Sequence, residues 1–252
     1  MAILDDDSLP FQGRLGKYII YKTKKGKRII KTKGGPTAKE MKKSKSYETA
    51  RKNGAEFGYA SRVGRLLRDK FSPLLQLSPD GDFNNRLTGQ LRKLIQKDTK
   101  NELGNRRLTN ASLSTLPCIY LNDQCEGDLV TITIKETTIS IHSDPKEIKK
   151  YIATIEGKEK PTHFQVFSLL LLYDFYKTGN DPLERKESSL IPISKKTASL
   201  LLEYELPVLS GSPAILHGIA IVFYQEKKGN FVMLGNKSLN GGWIQALETD
   251  LT

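Results

Sequence analysis

Phe57, Ala60, Gly64, Leu67 and Phe71 recur at the spacing of one narrow helix face, at about 100° per residue. Arg62, Arg65 and Asp69 point to the other side. This stretch, Asn53 to Phe71, constrains the fold more than any other. Its rings alternate with Ala and Gly, so a second backbone can approach between aromatic anchors. Burying each Phe and the Leu contributes roughly 1.5–3 kcal/mol. The spacing predicts the central helix of a small N-terminal module, packed through Phe57, Ala60, Gly64, Leu67 and Phe71.

Upstream, Tyr18-Ile-Ile-Tyr21 and Arg28-Ile-Ile-Lys31 flank Gly26, a hairpin signal. Tyr18, Ile20 and Ile30 are expected on one side and Lys17, Ile19 and Tyr21 on the other, so both faces are partly covered. Gly34-Gly-Pro36 ends the hairpin, and Thr37, Ser44 or Ser46 stands where a helix cap is needed. The central helix is expected from about Ser46 to Phe71, with Pro73 ending or kinking it. Ser78-Pro-Asp-Gly-Asp82 is a turn with Asp82 as N-cap, opening a second amphipathic helix to about Asn101. Leu87, Leu91, Leu94 and Ile95 form its apolar side; Arg86, Arg92, Lys93, Lys97 and Lys100 form the other.

After Asn110 the apolar period changes. Val130–Ile134, Thr138–His142, Thr162–Phe167 and Ser199–Leu206 alternate as strands do. Leu216–Gln225, a Lys-Gly-Asn turn and Phe231–Leu234 form the clearest hairpin. Gly179–Pro182 and Ser210–Pro213 break the runs. The expected architecture is α+β. Residues 1–110 form a basic module, a β-hairpin plus two amphipathic helices. Residues 111–252 form an antiparallel β-sandwich, immunoglobulin-like or similar.

The formal charge of +12 is unevenly spread. Residues 1–110 hold 26 Lys+Arg against 11 Asp+Glu, and residues 111–252 hold 14 against 17. Lys22, Lys24, Lys25, Lys27, Arg28, Lys31 and Lys33 crowd the hairpin, and Lys39, Lys42, Lys43 and Lys45 follow at once. Such a cluster repels itself and favours an anionic partner, whether acidic protein, nucleic acid or anionic lipid. Tyr18 and Tyr21 are placed to stack on bases. Lysines on an exposed hairpin also serve simply to block unwanted strand pairing. The Met-Ala-Ile-Leu-Asp-Asp-Asp start lacks a signal-peptide pattern, and the apolar run Leu169–Tyr173 is too short for a bilayer. A cytoplasmic protein without a membrane span is expected, with leaderless export left open.

No local motif carries catalysis. Gly229 to Ser238 resembles a phosphate loop, but five residues separate Gly229 from Gly235, and Asn236 precedes Lys237. Cys118 and Cys125 lack the companions of a zinc site. His142, His163 and His217 sit inside β-runs, and Glu203 and Glu205 alternate with Leu202, Tyr204 and Leu206 as the wet side of a strand. Trp243 is a C-terminal anchor or, if exposed, a partner contact. No catalytic residue, cofactor, metal or small-molecule substrate is inferred.

Gly13-x-x-Gly16-x-x-x-x-Tyr21-Lys, Gly34-Gly-Pro, Arg51-x-Asn53-x-x-Glu56-Phe57-Gly58-x-Ala60-Ser61-x-x-Gly64-x-x-Leu67-Arg68, Arg86-Leu-Thr88, Thr162-His-Phe164 and Phe223-Tyr-Gln-Glu226 occur in this order. In order and spacing the chain resembles a family of uncharacterised Bacteroidota proteins. That resemblance implies the two-part layout and brings no activity, cofactor or site residue. Three functions are open. The first is a non-catalytic structural or assembly protein, docking its basic module on another subunit or an acidic partner. The second is nucleic-acid binding through the same module, and the third an enzyme with its site on the sandwich loops.

Overall fold

A computed structural model of the chain describes residues 2–4, 11–23, 26–32, 34–123, 129–135, 138–154, 160–176, 183–194, 200–206, 212–235 and 239–247. The chain is α+β, with helices and several antiparallel sheets. It divides into two compact units, Met1–Arg51 and Lys52–Thr252, and not at residue 110 as the change of period suggests. The physical reason lies in the second unit: its helices share a core with its largest sheet and so belong to the same body.

In the first unit, strands β1 (Ala2–Leu4), β2 (Gly13–Leu15), β3 (Tyr18–Lys22) and β4 (Arg28–Thr32) form an antiparallel sheet of order β1-β4-β3-β2. Gly26, at φ 82°, turns β3 into β4, and the turn closes through Thr23 N–H to Lys27 O (2.8 Å) and Gly26 N–H to Thr23 O (2.9 Å). Helix α1 (Ala38–Lys43) starts on a capping box: Thr37 Oγ1 accepts from Glu40 N–H, and Glu40 Oε2 accepts from Thr37 N–H. Arg51 donates to Met41 O and Ser44 O (both 2.9 Å), which ties down the end of α1.

Helix α2 (Glu48–Lys70) carries the chain into the second unit. There α3 (Ser72–Leu77), α4 (Phe83–Gln96) and α5 (Asn110–Leu113) follow. Pro73 sits in the first turn of α3, where its missing N–H is not needed. The main sheet uses β5 (Ile119–Tyr120), β8 (His163–Tyr173), β9 (Leu183–Glu187), β10 (Ile191–Pro192), β12 (Ala214–Lys227), β13 (Asn230–Met233) and β14 (Gly241–Ala246). Its order is β10-β8-β12-β14-β5, with β9 on β8 and β13 on β12. A three-stranded sheet, β11-β7-β6, is built from β6 (Thr131–Lys135), β7 (Thr138–Ser143) and β11 (Leu200–Glu205); helix α6 (Pro145–Thr154) follows β7.

Alternate residues of β8 and β12 face two different cores. Leu169, Leu171, Leu216, Ala220 and Val222 join Ala60, Leu67, Phe71, Leu74, Leu87 and Leu91 of the helices. Phe164, Val166, Leu170, Leu172, Ile215, Ile219 and Phe223 join Ile139, Ile141 and Tyr204 of the three-stranded sheet, with Ile148 of α6. Burial on both faces explains why Leu169–Tyr173 reads as a continuous apolar run. It also separates this body from the immunoglobulin-like arrangement expected, whose strands alternate apolar-in with polar-out. Trp243 is buried in the second core, as an anchor.

Ala60, Gly64, Leu67 and Phe71 are buried as their spacing indicates, but Phe57 is 52 % exposed. The buried stripe of α2 is Glu56, Ala60, Val63, Gly64 and Leu67, which leaves Phe57 at its rim, about 60° around the helix from Ala60. The stripe turns toward Glu56 because Arg106 makes that carboxylate buriable. The close backbone approach is made elsewhere. A β-carbon on Gly218 of β12 would sit 2.8 Å from Phe71 Cδ1 and from Leu74 Cδ1.

Candidate functional site

The basic module was the leading candidate from sequence. Lys24, Lys25 and Lys33 lie outside the described residues. Lys22, Lys27, Lys31, Lys42, Lys43 and Lys45 are all exposed, and none is ion-paired with a described carboxylate. They do not share one face. Lys22 stands opposite Arg28, on the pleat side of Ile20 and Ile30; Lys31, opposite Ile19, stands on the other. The Lys31 ammonium lies 5.3 Å from the Tyr21 ring centroid, and that of Lys17 lies 5.5 Å from Tyr18. Strand alternation therefore sends Lys22 and Lys31 to opposite sides of the sheet, so its charge is two-faced. Among the described residues of this unit only Ile20 is a fully buried apolar side chain, while Phe11, Leu15, Tyr18 and Met41 are 38–62 % exposed.

Glu56 and the Ser168–His217 pair are among the polar groups sealed inside the body. Glu56, with a side chain 0 % exposed, accepts from Arg106 Nε and Nη2 (2.7 Å each) and from Gly104 N–H (2.8 Å). The Arg106 hydrogen bonds hold its carboxyl below the usual carboxylate range against the opposing effect of burial, with Gly104 N–H helping. On the other side of the sheet, Ser168 Oγ and His217 Nε2 are 2.7 Å apart, and the Tyr204 ring meets the imidazole edge-on at 6.0 Å. Burial alone pushes His217 down to about 3 and, as the main cause, Tyr204 up to about 12.

The Ser–His pair is chemically quiet. Among the described residues His217 Nδ1 has no hydrogen-bond partner, so none of them orients the ring through that atom, and Ser168 is 0 % exposed. A base with a pKa near 3 is a poor proton acceptor at neutral pH. His163 pairs with Tyr224 and Leu170 with His217, so these two histidines are seven positions apart along β8, roughly 23 Å. Glu203 and Glu205 are on the exposed side of β11, and accept from Ser140 and Thr138 hydroxyls. Cys118 is exposed; Cys125 and Asn236–Ser238 lie outside the described residues.

Two clefts flank α4, neither marked by a motif. One, about 740 Å³, lies between α4 and the segment around β5, with Arg86, Gln90, Lys93, Tyr120 and Asp123 among its walls. Arg86 is engaged there, donating to Tyr120 O (3.0 Å) and Leu121 O (3.3 Å) and pairing with Asp80. The other, about 370 Å³, lies between α2 and α4 and is lined by Phe57, Ser61, Arg68, Asn84, Asn85, Thr88, Gly89 and Arg92. The available sequence signal is Gly64, where an added β-carbon would stand 3.4 Å from Leu91 Cδ1 and 3.5 Å from Thr88 Oγ1 of α4. No family model, curated protein or solved structure matches the chain.

Proposed function

We propose that this is a non-catalytic assembly protein that docks through its basic N-terminal unit onto a second copy or an acidic protein partner. The observation that carries this is the composition of residues 1–51, with 14 Lys+Arg against 5 Asp+Glu on a unit that leaves Phe11, Leu15, Tyr18 and Met41 exposed. A surface both cationic and apolar suits a protein better than a phosphate backbone. Since the cations stand on both faces of the sheet, the partner must clasp it rather than lie on one side. Residues 111–252 hold 17 acidic side chains against 14 basic ones, and Glu203 and Glu205 present an anionic strand face for a second copy. A cytoplasmic location is part of this proposal. Among the described residues no helix is long and apolar enough to cross a membrane.

Light scattering on size-exclusion fractions, across protein and salt concentration, tests the reading. Mass is expected to rise with protein concentration, fall as salt is raised from low to physiological levels, and return to monomer when Lys22, Lys27, Lys31, Lys42, Lys43 and Lys45 are changed to Ser. A salt-insensitive monomer at every concentration, with no acidic partner retained by the wild-type chain and lost by the variant, refutes it. Nucleic-acid binding by the same unit is favoured by one observation, Tyr18 exposed beside Lys17. It predicts a log K against log salt slope of about −0.9 per phosphate on duplex DNA.

A further inference from the structure

Part of the positive charge of residues 1–110 belongs to the second unit. Residues 52–110 contain 12 Lys+Arg and 6 Asp+Glu. Several of those carboxylates are engaged: Glu56 by Arg106, Asp80 by Arg86, and Asp69 near Arg65 at 3.9 Å. Arg68 and Arg92, on facing sides of the cleft between α2 and α4, have no hydrogen bond or ion pair with any described residue. Arg92 Nε is shut off from solvent and has no acceptor among the described residues. Glu56 feels the charge of Arg92 but spends its hydrogen bonds on Arg106 and Gly104.

The cleft is shaped as well as charged. Arg68 Nη1 and Thr88 Oγ1 converge beside Gly64, 3.4 Å and 3.5 Å from where its β-carbon would stand. Ser61 and Asn85 add neutral donors to the wall, and the exposed ring of Phe57 stands at the mouth. Two guanidinium groups and hydroxyls suit a phosphate; an exposed ring beside them suits a base. The volume of about 370 Å³ is within the range of small-ligand sites.

We propose that the cleft between α2 and α4 binds a nucleotide unit, with Arg68 and Arg92 on the phosphate, Thr88 and Ser61 donating to its oxygens, and Phe57 stacked on the base. The same chemistry is offered by a free nucleotide and by a single strand.

Fluorescence anisotropy with labelled dT12 at low salt, on the full chain, tests this. Phe57→Ala, at an exposed site, is expected to weaken binding about tenfold and leave the salt slope unchanged. Arg68→Ala is expected to flatten the slope by about 0.7, the contribution of one phosphate on a single strand. Displacement of dT12 by millimolar dTMP identifies a free nucleotide as the occupant; retention identifies the strand. Wild-type affinity in both variants would assign binding to the N-terminal lysines and overturn the proposal, as would the failure of the wild-type chain to bind either probe. Unchanged melting temperatures for both variants exclude misfolding as the cause of weakened binding.

Discussion

Replacing Glu56 tests how the helical layer is held to the rest of its unit. In Glu56→Ala the Arg106 guanidinium, its side chain only 18 % exposed, keeps a single acceptor in Gln96 O at 3.4 Å. Gly104 N–H, donated to Glu56 in the buried interior, loses its acceptor. Breaking a buried pair by removing one partner costs about 3–5 kcal/mol, and the residual exposure of Arg106 puts the expectation near the lower end, about 3 kcal/mol. Glu56→Gln keeps one neutral acceptor and is expected to cost about 2 kcal/mol. Urea unfolding at pH 7, followed by the fluorescence of Trp243, reads this directly, since it is the chain's single Trp and is 6 % exposed. The gap between wild type and Glu56→Gln also has a signed pH dependence. The folded carboxyl holds its proton less tightly than the unfolded one, whose reference value is 4.5. The stabilisation is therefore complete above pH 4.5 and lost as pH falls through the lowered folded value. A Glu56→Ala chain within 1 kcal/mol of wild type at pH 7, or a gap that widens in acid, would refute this account.

His217 gives a second pH signature at higher pH. Its folded pKa, near 3 through burial, lies below the reference 6.5, so unfolding takes up a proton below 6.5 and stability falls with acid. Relative to His217→Leu, the wild type is expected to lose up to about 1.4 kcal/mol per pH unit between 6.5 and 4.5 in urea titrations, and a flat difference would contradict it. Gly218→Ala pushes a methyl into Phe71 and Leu74 and is expected to cost about 1–3 kcal/mol, read as a lower urea midpoint at unchanged m; an unchanged midpoint would show that the helices can lift at no cost.

The strands and the central helix were legible because each obeys one period. Thr131–Lys135 and Thr138–Ser143 alternate, and α2 and α4 carry 3.6-residue stripes. The hairpin of β12 and β13 was announced by its turn, where Lys228 and Gly229 take φ 52° and 80°. The layering was not legible. A run such as Leu169–Tyr173 says that both sides are covered without saying by what, and helices from before residue 110 supply one cover. Phe57 was misplaced because a hydrophobicity count cannot see that Glu56 is neutralised by Arg106, 50 positions later. The cleft of Arg68 and Arg92 escaped notice for the same reason: it exists only where two helices cross at Gly64, and crossing points leave no motif.

The boundary at Arg51 changes what the basic charge means. Part of it stands on an open sheet as exposed lysines, and part lines a cleft in a separate unit as arginines with partly buried heads. Salt treats these differently. At physiological ionic strength the screening length is about 8 Å, so exposed ammonium groups lose most of their reach, while charges recessed among low-dielectric neighbours are screened much less. Raising salt from low to physiological levels should therefore weaken the lysine-driven association first and leave the two-guanidinium cleft with most of its short-range hydrogen bonding. A chain that loses protein association and dT12 binding in parallel over that range would have one polyanion surface rather than two. The division of labour between its units would then be disproved, even with both binding activities present at low salt.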